Sequence, residues 1–298
     1  MGEKLFHSDE TRWNVLAPLA GKANHRWCLW VTRSALVVLY QIDPSRGAAV
    51  PKAHFAALQL GSDDVVLVCD RYSAYKCLAK EHDKMLLAYC WAHVRRDFLT
   101  ASRSWPEVAP WMGKWLEDIR TLYQLTTARR AVWDATASLE RQSPAFVVCH
   151  QALTAHVQQM QERWVMYRRE RDLHPAKRPL LDSLHHHWGG LTVFLTRPEV
   201  PLDNNSAERA LRYPVVSRKT YYGSGSLWSA PRGYAVEHPP NGAALGAQPA
   251  ALAQRLLAGL YGPGWHNAPG PLCLLALADD GRAHTPAGTV CPGAHAAS

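Results

Sequence analysis

Over the first hundred residues, short apolar runs alternate with segments of helical spacing. Leu5 to Asp9 reads as a strand, and Trp27-Cys28-Leu29-Trp30-Val31-Thr32 reads as a second. Leu36 to Ile42 reads as a third, with Arg33-Ser34 as the turn before it. Pro51 to Leu60 has helical spacing, with Pro51 near its start and Phe55 and Leu58 on one face. Val65 to Cys69 is an unbroken apolar run, the pattern of a central strand covered on both faces. Ser73 to Lys80 reads as a helix and Met85 to Trp91 as another buried strand. The order β-β-β-α-β-α-β predicts an α/β layer architecture, a mixed sheet flanked by helices.

From Arg95 to about Leu184 the pattern turns helical. Trp111, Trp115, Ile119, Leu122, Tyr123 and Leu125 recur at three- and four-residue steps, and Leu153 to Trp164 behaves similarly. The last 68 residues contain no lysine and about half of the chain's glycines and prolines. Apart from Ala250 to Leu260 they carry little helical signal and no clean strand pattern, so most of this tail is expected to be disordered.

Composition narrows the functional classes. The 298 residues suffice for a large buried core, with 47% apolar and 19% charged residues, as in a soluble globular protein. A net charge of +8 favours a polyanionic partner. Seven scattered cysteines do not form a disulfide framework, which suits a reducing cytosol. No signal-like segment opens the chain, and no apolar run approaches the ~20 residues of a membrane span. These features predict a cytoplasmic protein without a membrane partner. The twelve tryptophans fall mostly in periodic segments and are expected to pack cores.

Three carboxylates carry the candidate chemistry. Asp9 closes the first strand, Asp70 closes Val65-Val66-Leu67-Val68-Cys69-Asp70, and Glu208 lies in a helix opened by Asp203-Asn204-Asn205. A strand-end aspartate points into the crevice where ligands gather in open α/β sheets. Anionic side chains crowd together only when a cation neutralises them, and two Mg²⁺ ions roughly 3.5–4 Å apart suit phosphodiester chemistry. Cys90-x-x-His93 supplies two ligands where a structural zinc site needs four, so its expected role is to shape the strand that precedes it. His185-His186-His187 would splay around a helix and is assigned no site. Arg95, Arg96, Arg209, Arg212, Arg218 and Lys219 flank the acidic motifs, and phosphate neutralisation is their functional reading. Arg218-Lys219, which follow the glutamate helix, are the favoured DNA contacts. Salt bridges or a solvated face are the alternative for the others.

Four motifs now fall in order: Asp9-Glu10-Thr11, Asp70-Arg71-Tyr72-Ser73-Ala74-Tyr75, Cys90-Trp91-Ala92-His93-Val94-Arg95-Arg96 and Asp203-Asn204-Asn205-Ser206-Ala207-Glu208-Arg209. Together with Leu202 to Gly225 they resemble the core of IS66-type transposases, over about residues 5–230. The one local departure is Arg71, where the family motif has glycine. The resemblance implies a DDE transposase with an RNase H-like fold and an α-helical insertion before the catalytic glutamate. It assigns residues 1–98 and 185–230 to the catalytic core, 99–184 to the insertion and 231–298 to the tail. It makes Asp9, Asp70 and Glu208 the catalytic, metal-binding triad for two Mg²⁺ ions, with Mn²⁺ able to substitute. It implies double-stranded DNA as partner, both transposon ends and target, with a homo-oligomer and accessory transposition proteins allowed. Members carry a long N-terminal DNA-recognition region, and they continue past the residues matching Ala230 with a helix bracing the glutamate. The expectation is therefore a truncated, frameshifted remnant. The competing expectations are a metal-dependent RNase H-like nuclease and a non-catalytic DNA-binding remnant.

Overall fold

The computed structural model describes residues 4–15, 26–57, 64–217 and 234–237. β1 (Leu5–Trp13), β2 (Trp27–Arg33) and β3 (Val37–Asp43) form an antiparallel meander. After α1 (Ala49–Ala57), the chain adds β4 (Val65–Cys69), α2 (Ser73–Ala79) and β5 (Met85–Tyr89). β4 pairs parallel with β1, and β5 pairs parallel with β4. Four longer helices follow: α3 (Trp91–Ser104), α4 (Ala109–Ala131), α5 (Pro144–Arg168) and α6 (Arg178–Leu191). α7 (Asn205–Ser217) and the edge strand β6 (Tyr234–Glu237) complete the described chain. The mixed sheet has the order β5-β4-β1-β2-β3-β6. The α/β architecture expected from the alternation of apolar runs is the one observed.

The pleat of β4 explains the layers. All five of its residues are buried, because alternate side chains enter different cores. Val65, Leu67 and Cys69 join Phe6, Trp30, Phe55, Tyr75 and Leu78 in a core under α1 and α2. Val66 and Val68 join Ala88 in the larger core built by α3 to α6. A third cluster sets Ala207 and Leu211 of α7, one turn apart, against Leu29 and Val31 of β2. Trp13, Trp27, Trp30, Trp91, Trp115, Trp164 and Trp188 are buried as expected, whereas Trp105 is exposed.

Two strands end elsewhere than their sequence suggests. β1 does not stop at Asp9 but runs on to Trp13, paired with β2 from His7↔Arg33 to Trp13↔Trp27. Asp9 is therefore a mid-strand residue. Cross-strand pairing with an apolar partner holds Asp9-Glu10-Thr11-Arg12 extended despite their polar character. β5 stops at Tyr89, and Trp91 begins α3, with its N–H donated to the Leu202 carbonyl at 2.8 Å.

The helical stretch likewise begins at Trp91 and ends at Leu191, a few residues beyond the periodic signal on each side. On α5, Leu153, Val157, Met160 and Trp164 make the buried stripe that the spacing predicts. α6 lies close against β5. A Cβ on Gly190 would fall 2.4 Å from Tyr89 Cδ2 and 2.9 Å from the Leu87 carbonyl oxygen, so only glycine allows this approach. Within 231–298, Tyr234–Glu237 pairs antiparallel with β3, and the rest of the tail lies outside the described residues. No helix among the described residues is long and apolar enough to cross a membrane.

Candidate active site

The register of the central strands places the first two carboxylates. Leu5, Phe6 and His7 pair with Val66, Leu67 and Val68, and two further steps bring Asp9 level with Asp70, just past the end of β4. β1 outruns β4 at this level. Asp9 thus reaches the carboxyl end of a neighbouring strand without ending its own. Asp70 turns back on its own backbone, its Oδ1 accepting the Tyr72 N–H at 2.9 Å. Asp9 Oδ1 accepts the Glu10 N–H at 2.9 Å.

Alternation along β1 sorts its side chains between two faces. Phe6 joins the core under α1 and α2, and Tyr75 of α2 donates its hydroxyl to Glu10 Oε2 at 2.8 Å, with Ser8 Oγ 3.3 Å away. His7 and Trp13 face the other way, toward Asn204 and α7, and Asp9 shares their parity. Glu10 is consequently a separate carboxylate, its side chain almost fully buried and paired to Arg46 Nη2 at 2.7 Å. Burial pushes its pKa up, against the opposing influence of Arg46 and Tyr75.

Asn204 carries α7 to this face. It is fully buried and immediately precedes the helix, and its carbonyl accepts the Glu208 N–H at 3.1 Å. Its side chain does not cap the helix. Nδ2 donates to the Ser8 carbonyl at 2.7 Å, while Oδ1 lies 3.2 Å from His7 Nδ1. With Oδ1 an acceptor, His7 Nδ1 carries the hydrogen, and burial lowers the His7 pKa to about 4. The Asn204 N–H in turn donates to Cys90 Sγ at 3.2 Å. Asp203 takes the capping duty, its Oδ1 accepting the Asn205 N–H at 3.1 Å. Glu208 therefore projects from the first turn of a helix pinned to both β1 and the start of α3.

Burial and surrounding charge govern the site's electrostatics. Desolvation raises the Asp9 pKa to about 7, and the charges of Glu10, Asp70 and Glu208 push in the same direction. Asp9, Asp70 and Glu208 offer only carboxylate oxygens, the donors that Mg²⁺ prefers. A carboxyl group that is disfavoured as an anion gains most from a bound cation, so their chemistry suits a hard divalent ion, although the three do not gather within 4.8 Å of one another. Cys90 and His93, expected only to shape the strand, lie beside Glu208. Their ligand atoms and a Glu208 oxygen all fall within 4.8 Å of one another.

The basic residues divide. Arg95 and Arg96 on α3 and Arg212 on α7 are exposed, as is Arg209. Arg95 lines a groove of about 670 Å³ with Leu116, Arg120 and Tyr123 of α4. Arg218 and Lys219 lie outside the described residues. Arg71 hydrogen-bonds Ser183 Oγ of α6 at 2.6 Å and pairs with Asp97 of α3. His185-His186-His187 make no metal-type cluster among the described residues; His187 Nε2 meets Lys76 Nζ at 2.6 Å. His7, Ser8, Glu10 and Asn204 build the site without having been assigned a role from the sequence. The polar run inside an otherwise strand-like segment could have flagged the first three, whereas Asn204 was legible only as part of the helix opening.

Comparison with known proteins gives one family. The family model described as Transposase IS66 family matches residues 1–232. Among curated proteins, the uncharacterized protein y4qI of Sinorhizobium fredii is 28% identical over 243 residues, covering 76% of this chain and 41% of the relative. The uncharacterized protein y4jD of the same organism is 29% identical over 236 residues, covering 71% of this chain and 41% of the relative. The chain thus spans about two fifths of the length of these relatives. No solved structure matches.

Proposed function

Because the chain belongs to the IS66 transposase family, we propose that Asp9, Asp70 and Glu208 form the catalytic centre for DNA strand cleavage and strand transfer at transposon ends. Within the six-stranded sheet, the run β5-β4-β1-β2-β3, in which only β2 is antiparallel, supports reading the core as RNase H-like, with β6 added antiparallel at the β3 edge. On this reading residues 99–184 are a helical insertion that separates the second aspartate from the glutamate.

The carrying observation is geometric: strand register sets Asp9 level with Asp70, and Asn204 fastens the helix that bears Glu208 to the same strand. Burial raises the Asp9 pKa to about 7, with smaller contributions from Glu10, Asp70 and Glu208. Two Mg²⁺ ions bound there would activate an attacking oxygen and stabilise a leaving one. Asp9 would give up its proton as a cation binds, becoming a ligand only when the site is loaded. Asp70 and Glu208 would hold their oxygens toward the same point from β4 and α7. Buried Glu10, held by Arg46 and Tyr75, would keep β1 in place beneath them.

Exposed Arg95, Arg96 and Arg212 would meet DNA phosphates, and Arg218 and Lys219, outside the described residues, would by their charge do the same. The partners on this reading are transposon-end and target DNA in the bacterial cytoplasm, with further copies of the chain and accessory transposition proteins completing the assembly. The test is a Mg²⁺-dependent cleavage and joining assay on transposon-end DNA. Asp70→Asn should abolish both steps while retaining DNA binding. Cleavage that survives Asp70→Asn would overturn the assignment, and cleavage without joining would favour a nuclease.

A further inference from the structure

We propose that Cys90, His93 and Glu208 form a binding site for a thiophilic divalent ion, of the chemical class of Zn²⁺, separate in donor chemistry from the all-oxygen set. Cys90 lies immediately before α3 and His93 in its first turn, three residues apart and so on one face. Glu208, from the first turn of α7, supplies the third donor. All three ligand atoms lie within 4.8 Å of one another, and His93 Nδ1 is 3.8 Å from Glu208 Oε1. A tetrahedral zinc ion, with bonds of about 2.0–2.3 Å, separates its donors by roughly 3.5 Å. Small side-chain rotations therefore close the set around an ion.

Two further observations point to a ligand. His93 Nδ1 is buried with no hydrogen-bond partner, which is unfavourable for a polar atom unless something fills that position. Cys90 Sγ already accepts the Asn204 N–H, the outer contact that orients and stabilises a metal-bound thiolate. The positive end of α3 favours that thiolate as well. Unmetallated, the buried thiol has its pKa pushed up to about 11, so the ion displaces a proton on binding.

Three protein ligands and an open position for water match zinc sites that are not purely structural. Mg²⁺, which takes oxygen donors, gains nothing from the thiol. The two sites share Glu208, yet the inference rests on three side chains and not on the proposed reaction.

The experiment is Co²⁺ titration of the purified, reduced, full-length chain, read by thiolate-to-cobalt charge-transfer absorbance. One equivalent should produce the band, and Zn²⁺ should displace it. Cys90→Ser should abolish the band and weaken Zn²⁺ binding by more than the ~10–100-fold that losing an outer partner costs. His93→Gln, a second variant checked by circular dichroism, should weaken binding while leaving the fold intact. Cys77→Ser, at an exposed cysteine, should retain the band. Asp70→Asn should also retain it while losing DNA cleavage, so the two proposals fail separately. Absence of the band in the wild type, its survival in Cys90→Ser, or its loss in Asp70→Asn would each overturn the site.

Discussion

Asn204 Nδ2 donates to the Ser8 carbonyl at 2.7 Å, across 196 residues of chain, so the residue preceding α7 is fastened to the backbone position preceding Asp9. One buried amide thus sets the distance between the strand that carries Asp9 and the helix that carries Glu208. The same residue contacts His7 through Oδ1 and Cys90 through its backbone N–H. Truncating it leaves a buried carbonyl and a buried ring nitrogen without partners. Asn204→Ala should therefore destabilise the protein by about 1–3 kcal/mol per orphaned group, measured as a lower urea midpoint. DNA cleavage should fall further than that stability loss alone explains, and an unchanged midpoint would show that the fastening is not needed.

Asp9 should make stability depend on pH and on divalent cations. Its folded pKa of about 7 lies above the ordinary aspartate value of 3.8, so the native state holds the proton more tightly. Stability from this group is therefore full below about pH 4 and is lost as pH rises toward 7. Comparing melting temperatures of wild type and Asp9→Asn between pH 4 and 8 isolates the effect. The wild type should lose ground to the variant as pH rises. Mg²⁺ should restore the wild type and leave Asp9→Asn nearly unchanged.

His54 acts with the opposite sign on the acid side. It is buried, and burial alone lowers its pKa to about 4 from 6.5. The unfolded chain binds the proton more readily, so stability falls as pH drops from 6.5 toward 4. His54→Phe should flatten that acid limb in the same melting series, and a limb as steep as the wild type's would exclude His54 as its source.

Gly190 should not tolerate a side chain. A methyl group there would meet the Tyr89 ring at 2.4 Å and the Leu87 carbonyl at 2.9 Å, neither of which is a loose chain end. Gly190→Ala should cost about 1–3 kcal/mol by overpacking, visible in chemical denaturation. Helix propensity favours alanine by up to ~1 kcal/mol, so a neutral or stabilising result would mean that α6 shifts freely off β5.

The exposed arginines of α3 should contribute to DNA affinity through phosphate alone. Arg95→Ala and Arg96→Ala should each reduce the slope of log affinity against log salt by about 1, equally for transposon-end and unrelated DNA. Preferential loss of end binding would mark base contacts instead.

Local pattern made some of this site legible and concealed the rest. Asp70 follows an unbroken apolar run that can be little but a central strand, and Glu208 follows a recognisable helix opening. The buried stripes of α4 and α5 were readable from their spacing for the same reason. Asp9 looked like the end of a strand because the residues after it are polar, and only pairing with β2 extends β1 to Trp13. Cys90-x-x-His93 looked two ligands short of a metal site because spacing along one helix cannot reveal what another helix brings beside it.

The sequence by itself determined the alternation of strands and helices, the presence of three carboxylates in separate motifs and the family to which they belong. Those properties reside in residues a few positions apart, where apolar periodicity and chain stiffness act directly. Tertiary structure alone decided that Asp9 stands level with Asp70, that Asn204 ties α7 to β1, and that Glu208 lies beside the Cys90–His93 pair. Each depends on strand register or buried hydrogen bonds between distant segments. Such contacts form only when desolvation of the whole core makes an unpaired polar group too costly to leave.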